Sequence, residues 1–274
     1  MDNIIRYNRQ TLNSVKNWIN RTDWETPQSI FNYGLPDSIY HLINLPIDEN
    51  ITEVDIICKY LTEFPKVNYL EIGVSVGKTF YQIIQFANNF LTNIDNKSFS
   101  CIDIEKINPI LEELLDNMYN TKNIAITDID NLNINSIRKK NNNFITTWNN
   151  NIKYYESDEF DKNIWNIMKI QYNIIFSDAL HEPKALITEY TNIKNNDLLD
   201  KDGFIYCFDD LENDKNGPMW IAVNEIATDM KLQYPFLNIS VEHFIVNGWI
   251  GQYEHKHNFG VIKCLPINLV KNNL

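Results

Sequence analysis

Tyr69-Leu70-Glu71-Ile72-Gly73-Val74-Ser75-Val76-Gly77-Lys78-Thr79 is the stretch on which the reading of this chain turns. The apolar run Val67–Ile72 leads straight into a short turn bounded by two glycines. Helical spacing begins immediately after it. A strand that stops at a glycine turn and opens a helix is the first step of a parallel crossover, and ligands of open α/β sheets bind outside such strand ends. Glycine lets the backbone turn tightly and approach a ligand with no Cβ in the way. The chain has only eight glycines in 274 residues, so two of them in one turn carry weight.

Outward from that turn, short apolar runs alternate with amphipathic stretches. Strands are predicted at Val67–Ile72, Phe99–Ile104, Ile152–Tyr155, Asn173–Ser177 and Phe204–Phe208. Helices are predicted at Lys78–Phe90, Pro109–Asn117, Asp161–Met168, Pro183–Lys194 and Met219–Met230. Two further strands, Leu237–Phe244 and Phe259–Cys264, close the sheet. The expectation is an α/β chain: a Rossmann-like, seven-stranded, mostly parallel sheet with helices on both faces. Residues 1–65 read as a helical N-terminal extension packed on the core, and residues 66–274 as the main domain. Residues 119–150 are longer than a connection needs and read as an insertion.

The extension carries Tyr7, Trp18, Trp24, Phe31, Tyr33 and Tyr40, aromatic surface that needs something to bury against. It is expected to lie over the cleft, shaping an acceptor pocket or forming the contact of a homo-oligomer. No apolar run approaches the roughly 18 residues of a membrane helix, and the N-terminus has no apolar signal region. Net charge is −12, which argues against nucleic acid as a partner. The basic cluster Arg138-Lys139-Lys140 reads as a solvated loop. Cys58, Cys101, Cys207 and Cys264 show no Cys-x-x-Cys spacing. Three of them sit in apolar runs, as buried thiols of a cytoplasmic protein do. The tracts Asn141–Asn143 and Asn149–Asn151 are low-complexity in character.

Acidic residues end the predicted strands in order: Asp103 and Glu105 after the second, Glu156-Ser157-Asp158 after the third, Asp178 after the fourth, and Asp209-Asp210 after the fifth. His181 follows Asp178 by three residues. Three carboxylates at adjacent strand ends repel one another, and a hard divalent cation, most simply Mg²⁺, would relieve that. His255 and His257, at spacing two, read as an exposed loop, with ligands carried on a strand as the alternative. Trp249, Tyr253 and His243 read as core packing or as the lining of a substrate pocket.

The segment Glu71-x-Gly73-x-x-x-Gly77 resembles the first motif of the class I S-adenosylmethionine-dependent methyltransferases, with Ser75 where the family often has a third glycine. The resemblance implies that the backbone of Gly73, Ser75 and Gly77 faces the methionine part of S-adenosylmethionine, and that Glu71 orients that loop or the amino group. It implies that Asp103, with Glu105 as second choice, holds the ribose. Glu156 and Ser157 would lie beside the adenine, although Tyr155 replaces the usual glycine. Asp178, His181, Asp209 and Asp210 resemble the metal-dependent macrocin- and catechol-type O-methyltransferases over residues 66–265. That likeness implies Asp178, Asp209 and Asp210 as metal ligands, with Asp178 also beside the cofactor and His181 as the base. The acceptor would be a hydroxyl of a small molecule or sugar. Two alternatives stay open. One is a P-loop-like NTPase, since Gly73–Thr79 approximates a phosphate-binding loop, but with three residues between the glycines instead of four. A methyltransferase-like protein that binds without catalysing is the other.

Overall fold

Alternation along β1 (Val67–Ile72) sets the two faces of the sheet. Val67 and Tyr69 pack to one side, Leu70 and Ile72 to the other. All four are fully buried, as expected of a strand covered by helices on both faces. The computed structural model describes residues 53–75, 77–127, 143–247 and 256–267. The aromatic extension before residue 53, the cluster Arg138–Lys140 and residues Val76, Trp249, Tyr253 and His255 lie outside the described residues.

Helix α1 (Glu53–Leu61) precedes β1. There follow α2 (Lys78–Phe90), β2 (Lys97–Asp103), α3 (Pro109–Met118), β3 (Lys122–Thr127), β4 (Asn143–Trp148), β5 (Ile152–Glu156) and α4 (Lys162–Ile167). The chain continues through β6 (Ile174–Ser177), α5 (Pro183–Asn195), β7 (Phe204–Leu211), α6 (Pro218–Gln233), β8 (Leu237–Asn247) and β9 (Lys256–Pro266). Helices α1, α2 and α3 cover the Val67–Tyr69 face, and α4, α5 and α6 the opposite one.

The strand order is β3-β4-β5-β2-β1-β6-β7-β9-β8. Its centre, β5-β2-β1-β6-β7, is parallel throughout and doubly wound. The winding direction reverses between β1 and β6, and the crevice for a ligand opens at their carboxyl ends. Two expectations are corrected here. The described sheet has nine strands, because the predicted insertion contributes the antiparallel strands β3 and β4 to one edge. The sheet is also mixed, since β9 runs antiparallel between β7 and β8.

The Asn-rich tract before β5 has a local job. Asn149 and Asn150 take left-handed backbone angles, φ 50° and 63°, in the turn joining β4 to β5. Asparagine tolerates that region better than other residues with a side chain. All four cysteines are buried and none is in a disulfide. No helix among the described residues is long and apolar enough to cross a membrane.

Candidate functional site

The glycine turn is pinned at the switch point. The Gly73 amide donates to Ile102 O (2.9 Å), and the Asp178 amide donates to Ile72 O (2.8 Å). The ends of β2, β1 and β6 are thereby held side by side. Gly73 has φ +81°, and a Cβ there would stand 2.4 Å from Asp178 O and 2.5 Å from Ala179 Cα. Gly77 has φ +82°, and its Cβ would meet the Leu111 side chain at 2.4 Å. Both glycines therefore answer to backbone crossing and helix packing. The expected reason was space for a ligand.

Asp103 is buried and already engaged. Its Oδ2 accepts from the amides of Val74 (2.6 Å) and Ser75 (2.8 Å), and its Oδ1 from the amide of Glu105 (2.8 Å). The acid assigned to a ribose thus shapes the glycine turn in this structure. Glu105 is exposed at the rim. Ser75 is exposed with φ 50°. Glu71 lies beneath the turn, where the Tyr69 hydroxyl donates to it at 2.6 Å. Burial pushes its carboxyl well above the usual range; Tyr69 and Lys78 oppose the rise, and Asp178 and Asp103 add to it. At the end of β5, burial also raises the Glu156 carboxyl. Ser157 is buried, and its amide donates to Asp103 O at 2.8 Å. Glu159 is raised to about 7 by burial and by its acidic neighbours Asp158 and Asp103.

Lys78 points away from the turn. It pairs with Glu53 of α1 at 3.1 Å, with both side chains 3% exposed. A phosphate-binding loop needs that lysine and the turn amides free for phosphate oxygens. Here the lysine faces a glutamate and two of the amides face Asp103.

On the other side of the crevice, His181 stands between two carboxylates. Its Nε2 is 3.3 Å from Asp178 Oδ1, and its Nδ1 is 3.4 Å from Asp210 Oδ2. The Asp178 hydrogen bond is the main cause that raises this imidazole to about 9; burial opposes it, and the charges of Asp178, Asp210 and Asp209 add. Asp178 itself rises to about 7, first because its half-buried carboxyl is poorly solvated and next because Asp209 carries like charge.

Asp209 and Asp210 converge through a bulge. In regular pairing with β9 they would face opposite sides of the sheet. The register shifts between Phe208 and Leu211, so two residues of β7 oppose one of β9, and Asp210 takes φ 49°. Such bulges re-aim side chains. Here they bring Asp209, Asp210 and His257 together, with one ligand atom from each within 4.8 Å of the others. Asp178 is not part of that trio; it reaches Asp210 through His181. His257 is the residue for which the strand alternative fits and the preferred loop reading does not. It is not in an exposed loop: β9 begins at Lys256, and the imidazole is 10% exposed with Nε2 2.8 Å from Asp209 Oδ1. The available signal was period two, since His257, Phe259 and Val261 share a face. Burial lowers this imidazole, but the Asp209 carboxylate reverses that and leaves it at about 9. Burial likewise raises Asp209, with His257 opposing and Asp210 and Glu53 adding. His243 bonds Asn258 Oδ1 at 2.8 Å and packs against the edge of Trp220.

No protein-family model and no curated protein sequence matches this chain. Solved structures of broadly similar shape exist. The O-methyltransferase from Bacillus cereus in complex with SAH is 12% identical, covers 92% of this chain and 97% of its own, and has a TM-score of 0.46. The O-methyltransferase TomG from Streptomyces achromogenes in complex with SAM is 10% identical, with coverage of 87% and 86% and a TM-score of 0.49. The SAH-bound methyltransferase PaMTH1 of Podospora anserina is 10% identical, with coverage of 96% and 94% and a TM-score of 0.47. At such scores these likenesses decide neither the fold nor the activity, and both rest on the residues of the chain itself.

Proposed function

We propose that this chain transfers a methyl group from S-adenosylmethionine to a hydroxyl of a small molecule or sugar. The observation that carries the reading is the charge of the crevice. Its rim and floor bring Asp103, Glu156, Asp178 and Asp210 around a glycine turn, while Lys78, the lysine that follows the turn, is paired with Glu53. A sulfonium cation is favoured there and a polyphosphate is repelled. The same observation weighs against the NTPase alternative.

In the transfer, the acceptor oxygen attacks the methyl carbon as the carbon–sulfur bond breaks, and the electron pair of that bond stays on sulfur as a neutral thioether. The hydroxyl proton leaves to the neutral form of His181, a minor species at pH 7 while the imidazole stands at about 9. Asp178 and Asp210 fix the imidazole ring from either side, at 3.3 and 3.4 Å. Holding the two reactants in line supplies several kcal/mol of the rate gain in reactions of this kind, roughly 7–11 at best. Asp209, Asp210 and His257 are a donor set that fits a divalent cation. Such an ion, when bound, supplies Lewis acidity to the hydroxyl and offsets the carboxylate charge that keeps His181 protonated.

The test is calorimetric titration of the intact chain with S-adenosylhomocysteine and, separately, with ATP. Binding of the first and not the second is expected. ATP binding without S-adenosylhomocysteine binding would overturn the reading. Methyl transfer to a panel of hydroxylated small molecules and sugars, with and without a divalent ion, then identifies the acceptor class.

A further inference from the structure

We propose that Glu189 of α5 is a positioning residue for the loop 157–161, which it latches by holding one proton in common with the Glu159 carboxyl. This deepens the methyltransferase reading and rests on it for what the loop serves. The loop leaves β5 beside the glycine turn. The Ser157 amide donates to Asp103 O at 2.8 Å, and the Asp103 carboxylate in turn holds the amides of Val74 and Ser75. Further along, two side chains from the helices fasten the loop. The Trp165 indole of α4 donates to Glu159 O at 2.8 Å, and the Asn192 amide of α5 donates to the same oxygen at 3.4 Å. Asn192 follows Glu189 by three residues, so both stand on one side of α5. Glu159 therefore lies over the helix face that carries Glu189.

The two oxygens of Glu189 are used unequally. Oε2 accepts from the Ser177 hydroxyl at 2.6 Å and faces the Tyr206 hydroxyl at 3.5 Å. Oε1 is buried and has no hydrogen-bond partner among the described residues. An ionised oxygen left bare in the interior is costly. A protonated one becomes a donor in need of an acceptor, and the Glu159 carboxyl comes to it from the loop. Two neighbouring carboxyls of low solvation keep a proton between them, because both cannot ionise cheaply.

The surrounding charges favour that state. Glu189 meets Glu159 from the loop, the Tyr206 hydroxyl from β7 and His181 from the connection between β6 and α5. Glu159 meets Asp158 from its own loop and Asp103 from β2. On α6, Asp229 is taken up by Tyr190 and Lys194 of α5. Burial, as the main cause, keeps Glu159 neutral up to about 7 and Glu189 up to about 8. Both folded values lie above the ordinary 4.5, so the latch is complete in acid and is lost as pH climbs through these values.

Hydrogen–deuterium exchange of residues 157–168 in the intact chain, corrected for the intrinsic pH dependence of exchange, reads the latch. Native protection is expected to fall at least about tenfold between pH 6 and pH 9. Glu189→Gln keeps a neutral donor in place at every pH and should hold protection within about threefold. Glu159→Gln, at a less buried position, should give the same flat profile and serves where the first variant fails to fold. S-adenosylhomocysteine affinity, measured over the same range, should weaken about tenfold more in the native chain than in Glu189→Gln. A flat native exchange profile, or a fall of equal size in the variants, overturns the latch. Equal pH dependence of affinity in the native chain and Glu189→Gln overturns the positioning role. The expected exchange profile without S-adenosylhomocysteine binding at any pH supports the latch and counts against the methyltransferase reading alone.

Discussion

At the scale of single residues, Asp103 shows how one carboxylate can carry two demands. It closes the glycine turn by accepting three amides, so its loss is a structural event before it is a binding event. Asp103→Ala should lower the unfolding free energy by roughly 1.5–3 kcal/mol, the scale of hydrogen bonds to a charged group, and weaken S-adenosylhomocysteine as well. Urea denaturation beside calorimetry separates the two effects. Unchanged stability with lost affinity would make Asp103 a ligand contact alone. Glu189 of α5 is a second case. It is fully buried, and the Ser177 hydroxyl donates to it at 2.6 Å. Burial raises its carboxyl from 4.5 to about 8, with Ser177 opposing and Glu159 adding. A folded value above the unfolded one means that its contribution is fully present below about 4.5 and is lost as pH climbs through about 8. Glu189→Gln cannot ionise. Between pH 5 and pH 9 it should therefore gain on the native chain by on the order of a few kcal/mol in denaturant titrations. Parallel pH profiles for the two proteins would contradict this.

At the scale of elements, the end of β7 is the device that makes a site out of a strand. Asp210 sits in the left-handed region at φ 49°, where most side chains are disfavoured. Asp210→Gly should therefore relieve backbone strain, and Asp210→Val should add to it, with a stability difference between the two of about 1–3 kcal/mol. Equal melting temperatures for the two variants would show that the bulge stores no strain. The next element is tied to the same bulge. Glu212 Oε1 accepts from the Met219 amide in the first turn of α6 at 2.9 Å, and the Trp220 indole donates to Glu212 O at 2.9 Å. The helix after the acidic pair thus helps to set where the pair points.

At the scale of the whole molecule, the buried pair Lys78–Glu53 fastens α1 to the helix that begins at the glycine turn. Breaking a buried pair from one side strands the remaining charge, whereas replacing both partners can be neutral. Lys78→Met should cost roughly 3–5 kcal/mol, and Lys78→Met combined with Glu53→Leu should recover much of that. A double variant no more stable than the single one would mean that the pair is not the fastening. The extension before α1, with its tryptophans and tyrosines, remains our proposed cover for the cleft and candidate contact between copies.

The sequence by itself determined the parallel core. Val67–Ile72 alternates between two apolar faces, a glycine turn follows, and each later strand of the parallel core runs into an acid near its end, all of which are local patterns. It also named most of the residues that surround the crevice, because strand ends in a doubly wound sheet fall on one edge. Only the tertiary structure decided the rest. The hairpin β3–β4 joins the sheet edge by pairing with β5, and nothing in its own residues fixes that partner. Asp103 turns to the backbone of residues 74 and 75, almost thirty positions away. His257 becomes part of the site because β9 inserts antiparallel beside β7, and Asp209 and Asp210 share a side because the register slips there by one residue. Such placements arise from pairing between distant strands, and distance along the chain carries no record of them.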